Sequence, residues 1–153
     1  MTSAEFTLQG WPRTLEEYEG KLLFALQSFQ TVEVVLKSYL NQVAKHPPVG
    51  VSAAYRMHDV QNYSLGRLIA TFRGINQNVE LHRQLEAIVA DRNIIAHQSA
   101  VARDPHIAKM LGVEVIDLKR MREIDRKAMR AMSALISEFV RTAPKSPDEN
   151  DPP

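Results

Sequence analysis

The chain has 153 residues, 44% hydrophobic and 24% charged, with a formal net charge of +1. That length suits one domain with a single core and short tails, and the composition is neither that of a disordered chain nor that of a membrane-embedded one. Cysteine is absent, which excludes disulfides, thiolate catalysis and thiolate zinc sites and fits a reducing compartment.

Met1 to Gly10 has no basic or apolar leader, and no run approaches the roughly 18 apolar residues of a spanning helix. A cytoplasmic protein without a membrane segment is expected. Residues 1–13 form an N-terminal arm, and the helical domain begins at Thr14. The Thr14 hydroxyl and Glu17 three residues on make a capping box. Leu15, Tyr18, Leu22, Leu26, Phe29, Val32, Leu36, Tyr39, Leu40 and Val43 follow in three- and four-residue steps, so a long amphipathic helix continues until His46-Pro47-Pro48-Val49-Gly50 ends it. A loop runs on to about Gln61.

Ser64-Leu65-Gly66-Arg67-Leu68-Ile69 opens a shorter helix that breaks near Gly74 to Asn78. The next helix starts at about Val79 and has Leu81, Leu85, Ile88, Val89 and Ile95 on its apolar side. Asp104-Pro105 reads as a cap with a first-turn proline, starting a short helix that Gly112 stops. Val113 to Ile116 is extended at best. Asp117 caps a last long helix whose buried stripe is Leu118, Met121, Ile124, Ala128, Met132, Leu135, Ile136 and Phe139. No alternating strand pattern or internal repeat occurs. The expected fold is all-α: an up-down bundle of two long and two shorter helices over 14–143. The acidic, proline-rich end, 144–153, is expected to be disordered. From Lys145 to Pro153 it holds one base and three acids, so it contributes −2 and leaves +3 for the rest.

The most chemically pointed segment is Arg92-Asn93-Ile94-Ile95-Ala96-His97. Arginine is a permanent cation that grips two phosphate oxygens, and histidine exchanges a proton near neutral pH. At about 100° per residue, Arg92 falls within the apolar stripe of its helix. A guanidinium there needs acceptors or a pocket, because an unpaired buried charge costs several kcal/mol. One reading pairs it with a core carboxylate such as Asp91 or Glu33. Asn93 and His97, four apart, share a face, whereas His97 lies about 140° round from Arg92. A frayed helix end would bring the two together, as would a twofold axis setting one motif against its copy.

An all-helical domain with an Arg-x4-His motif late in its third main helix, and a polar residue directly after the arginine, resembles the HEPN superfamily. The resemblance covers helix order from Thr14 to Ala143, with specific residues at Arg92 to His97. It implies an HEPN-like bundle and a homodimer in which two motifs form one cleft. It also implies a metal-independent endoribonuclease, of the kind that serves as a toxin or phage-defence effector. Arg92 would hold the scissile phosphate, His97 would act as general acid or base, and Asn93 would orient the imidazole or phosphate. Attack by the RNA 2′-hydroxyl would leave a cyclic phosphate. Antitoxins and nucleotidyltransferases are the partners such proteins have, and some members are noncatalytic. The tyrosine that one toxin subgroup carries two residues after the histidine is replaced here by Ser99.

Lys119, Arg122, Arg126 and Arg130 lie within about 80° of one another on the last helix, a stripe able to track an RNA backbone or simply a solvated face. His82 and Glu86, four apart, read as a surface pair rather than metal ligands, since no third ligand accompanies them. His58-Asp59 and His46 carry little signal, while His106 follows the motif closely enough to reach the same cleft. No metal site or cofactor is expected, and no phosphate loop, nucleophile elbow or dinucleotide fingerprint occurs. Two functions follow: the ribonuclease, and a noncatalytic interaction or regulatory module in which Arg92 and His97 are structural or partner-binding.

Overall fold

The structure is a computed structural model that describes residues 3–102 and 104–144, with side chains described over 15–97 and 104–144. The described residues form helices α1 (Ser3–Lys45), α2 (Met57–Val60), α3 (Leu65–Ile75), α4 (Val79–Ala102), α5 (Pro105–Leu111) and α6 (Leu118–Thr142), with no strand among them. The all-α expectation therefore holds. Of the acidic end, residues 145–153 lie outside the described residues, as does Arg103.

Local chemistry sets most boundaries. The Ser64 side chain accepts from the Arg67 amide to start α3, Asp104 accepts from the His106 and Ile107 amides before Pro105, and Asp117 accepts from the Arg120 amide to start α6. These side-chain oxygens satisfy amides that have no partner inside the helix. Gly112 closes α5 with φ +68°, a left-handed conformation that a side chain disfavours. At α1 the outcome differs: the helix begins at Ser3, so Thr14 lies inside it rather than at its start. Glu17 instead accepts from Arg122 of α6, 2.7 Å from Nε and 2.6 Å from Nη2.

The long helices share one core, with Phe29, Leu36, Leu40, Leu68, Phe72, Leu85, Ile88, Met121 and Leu135 fully buried. Three cross-links give the direction of α6 against α1: Glu17 meets Arg122, Lys21 lies 3.5 Å from Asp125, and Gln42 donates to the Thr142 carbonyl at 3.1 Å. The residue numbers rise together, so α1 and α6 run parallel and the expected up-down alternation is broken. The physical reason is the connection between α1 and α3, which folds back along α1. The Tyr55 hydroxyl donates to the Leu40 carbonyl at 2.6 Å, and Lys37 donates to the Gln61 carbonyl at 3.1 Å. α4 runs antiparallel to α6, as Asn78 meets Glu138 at one end and Asp91 meets Arg120 at the other. With 24 residues α4 nearly matches the 25 of α6, so three helices are long rather than two.

The α6 stripe also shifts. Ile136, expected inside, is 39% exposed, while Ala131 and Glu138 are buried. Because α4 packs on one flank of α6 and α1 on the other, the buried surface extends towards positions 124, 131 and 138 and away from 136.

Candidate functional site

α4 is regular from Val79 to Ala102, and the motif lies well inside it rather than at a frayed end. Its apolar stripe, Leu81, Leu85, Ile88 and Ile95, is buried, and Arg92 falls between the last two. The guanidinium finds its acceptor on α1: Arg92 Nη2 donates to Glu33 Oε1 at 3.2 Å, with the arginine side chain 32% exposed and the glutamate 25%. Arg92 Nη1 also donates to Asn93 Oδ1 at 3.3 Å. Asn93 and His97 are both exposed. The structure thus joins Arg92 to Asn93, but the five-residue separation in a regular helix turns His97 about 140° away. Within one chain, Arg92 and His97 do not form a single cleft.

Asp91, the other candidate acceptor for Arg92, serves a different purpose. Its carboxylate is 4% exposed and takes Arg120 Nη2 at 2.8 Å and Lys127 Nζ at 3.1 Å. Two cations from α6 compensate one buried anion, which is what burial of a carboxylate requires. The residue before the motif arginine therefore locks α4 against α6, and Arg92 itself ties α4 to α1.

The four residues of the expected basic stripe on α6 divide. Arg122 is committed to Glu17, whereas Lys119, Arg126 and Arg130 have no carboxylate partner among the described residues and are exposed. Arg126 and Arg130 line an open groove of about 500 Å³ between α6 and α4, together with Gln84, Met129, Ser133 and Ala134. In that groove the Gln84 Oε1 atom is buried without a hydrogen-bond partner among the described residues. His106 is exposed on α5, and Met110 and Leu111 of the same helix expose 70% and 55% of their surface.

The histidine expected at the surface proves to be internal. His82 is 8% exposed, its ring lies edge-on to Phe72, and its Nε2 donates to Asn76 Oδ1 at 3.1 Å. Glu86 pairs with Arg73 instead, at 2.6 Å. Asn76 uses its full hydrogen-bonding capacity. Oδ1 also accepts from the Asn78 amide at 2.8 Å, and Nδ2 donates to Tyr39 Oη at 3.1 Å and to Glu138 Oε1 at 2.9 Å. Arg141 then grips Glu138 with two nitrogens, at 2.7 and 3.2 Å. These hydrogen bonds, led by those from Arg141, hold the Glu138 carboxyl below its ordinary range against the opposing effect of burial. The signal in the sequence was the position of Glu138, three residues after Leu135 and seven after Ala131, on the buried flank of α6.

Among the described residues, no three His, Asp or Glu side chains are grouped so as to hold a metal ion, and no helix is long and apolar enough to cross a membrane. No protein-family model, curated protein or solved structure shows a significant match to the chain.

Proposed function

We propose that the chain is a metal-independent endoribonuclease of the HEPN type, acting as a homodimer through Arg92, Asn93 and His97. The observation that carries the reading is the split on α4: Arg92 sits at the rim of the core, while Asn93 and His97 face outward. An exposed imidazole and a half-covered guanidinium complete one another only when a second copy brings its own motif across a twofold axis. In that arrangement one His97 takes the proton of the RNA 2′-hydroxyl as O2′ attacks phosphorus. Arg92 stabilises the charge that develops on the phosphoryl oxygens. The P–O5′ bond breaks, the leaving oxygen takes a proton from water, and a 2′,3′-cyclic phosphate remains. The α6 groove with Arg126 and Arg130, with Lys119 about two turns earlier on the same helix face, supplies cations that are not neutralised internally and is suited to the RNA backbone.

The Arg92 pair with Glu33 favours the second reading, a noncatalytic interaction module in which the arginine holds α4 to α1. The deciding experiment incubates purified protein, with chelator, against single-stranded and transfer RNA beside His97→Ala. Cleavage by wild type alone, leaving cyclic phosphate ends, is the expected result. Equal cleavage by the variant, or none by wild type, removes the ribonuclease and leaves the module.

A further inference from the structure

Of the ten arginines whose side chains are described, six are ion-paired with a carboxylate: Arg73, Arg83, Arg92, Arg120, Arg122 and Arg141. The remaining four fall into two pairs, and each pair lines one open cavity. Arg126 and Arg130 belong to the α6 groove, and Arg56 and Arg67 to a cavity of about 470 Å³ where the loop before α2 meets the start of α3. That volume is in the range of small-ligand sites, about 300–1,000 Å³.

The second cavity has a fixed frame. The Tyr55 hydroxyl is anchored on the Leu40 carbonyl at 2.6 Å, and burial pushes that phenol above its ordinary range, so it stays a neutral donor. Val60 of α2 and Leu65 of α3 are buried in the core. Arg56 occupies the cap position of α2, yet its side chain makes no capping bond. The Arg67 guanidinium stands over the Tyr63 ring, 4.0 Å from its centroid, which restricts the side chain while leaving its N–H donors without a carboxylate among the described residues. Asp59 shares the lining, so the wall presents two permanent cations against one acid. Paired arginines with fork-shaped donors match phosphate oxygens, and a guanidinium held on an aromatic ring is a surface on which nucleobases stack.

We infer that this cavity is a nucleotide phosphate site in which Arg56 and Arg67 bind the anion, with Tyr63 holding Arg67 in place. The phosphate belongs either to a free nucleoside monophosphate or to the backbone of single-stranded RNA. The site lies away from the Arg92 motif in sequence and requires no catalysis, so its test does not depend on the ribonuclease reading.

The test titrates the full chain with AMP by calorimetry and with a fluorescently labelled, 2′-O-methylated single-stranded RNA decamer, which 2′-hydroxyl attack cannot cleave, by anisotropy, at two salt concentrations. Arg56→Ala, Arg67→Ala and Arg67→Lys are compared with Arg73→Ala, whose guanidinium is engaged by Glu86 outside the cavity. Loss of either arginine should weaken binding about tenfold or more, as expected for hydrogen bonds to a charged group. Arg67→Lys, which keeps the charge but not the fork, should fall between. For the decamer, the slope of log affinity against log salt should drop by about 0.7 for each phosphate that the variant no longer neutralises. Binding of AMP with this pattern identifies a free-nucleotide site, and binding of the decamer alone identifies a backbone site. Circular dichroism confirms folding, and Arg56→Ala decides the matter if Arg67→Ala unfolds. Wild-type affinity in Arg56→Ala, a weakening no greater than in Arg73→Ala, or no binding of either probe overturns the inference.

Discussion

Arg92 on α4 donates to Glu33 on α1 at 3.2 Å, so the motif arginine is at once a tie between two helices and a cation already partly answered by an anion. A phosphate at this position has to displace Glu33. Glu33→Gln should therefore raise RNA affinity about fivefold while lowering stability by no more than about 1 kcal/mol, the scale of a partly exposed pair. Arg92→Lys should stay folded and lose at least about tenfold in cleavage, because an ammonium cannot reproduce the guanidinium fork. Binding and turnover assays alongside urea melts check both. Unchanged cleavage in Arg92→Lys would confine the residue to the helix tie.

Asp91 is the stronger structural neighbour. Replacing it by alanine leaves Arg120 without its nearest acceptor and Lys127 without its carboxylate partner, beside a space in the α4–α6 seam. The cations left behind are 27% and 44% exposed, so the loss is about 1.5–3 kcal/mol, the scale of hydrogen bonds to a charged group. The urea midpoint should fall accordingly, whereas Glu114→Ala, at the exposed edge of the same cluster, should change stability by less than about 1 kcal/mol. Similar midpoints for the two variants would contradict a locking role for Asp91.

Much of the fold was legible because its signals are local. Ser64, Asp104-Pro105, Gly112 and Asp117 mark helix ends through groups that act within a few residues, and the structure uses them all. The Thr14 box failed for the converse reason, since a capping signal works only where the preceding chain leaves the helix, and α1 continues back to Ser3. Sequence narrowed the Arg92 acceptor to Asp91 or Glu33, but only the packing of α6 assigns Asp91 to Arg120 and Lys127. The internal position of His82 was not legible, because Asn76 and Phe72 cover it from the neighbouring helix and the turn that follows.

That covered cluster depends on Asn76, which meets Tyr39, Asn78, His82 and Glu138 at once. Asn76→Asp is nearly isosteric, yet it places a second carboxylate against Glu138 and removes two donors. A destabilisation of about 3 kcal/mol or more at neutral pH is expected, since each buried polar group left unmatched costs about 1–3 kcal/mol. Asn76→Asp melting like wild type would show that the network is not closed as described.

Glu138 gives this cluster its pH dependence. Its carboxyl is held below the ordinary value of 4.5, first by the Arg141 hydrogen bonds, so the unfolded chain binds its proton more readily than the folded one. The stabilisation is fully present above about pH 4.5 and is lost as pH falls through the lower folded value. Glu138→Gln should therefore be less stable than wild type at pH 7, by about 1.5–3 kcal/mol for a charged hydrogen bond. The difference should shrink towards about pH 3, below the ordinary carboxylate range. Chemical denaturation from acid to neutral pH measures it, and a gap that widens in acid would reverse the assignment.

The divergence of Arg92 and His97 on one regular helix makes the dimer reading open to complementation. Arg92→Ala and His97→Ala homodimers should each be inactive, since each lacks one of the two groups in both copies. When the two variants are unfolded and refolded together, a mixed dimer contains one intact Arg92 and one intact His97 facing the same cleft. Part of the wild-type cleavage should return, rising with the fraction of mixed dimers measured by differently tagged chains. Mixed dimers that form and remain inactive would exclude a cleft assembled from two motifs. Rescue would in turn place the guanidinium of one copy opposite the imidazole of the other, the only pairing that the separation of about 140° on α4 permits.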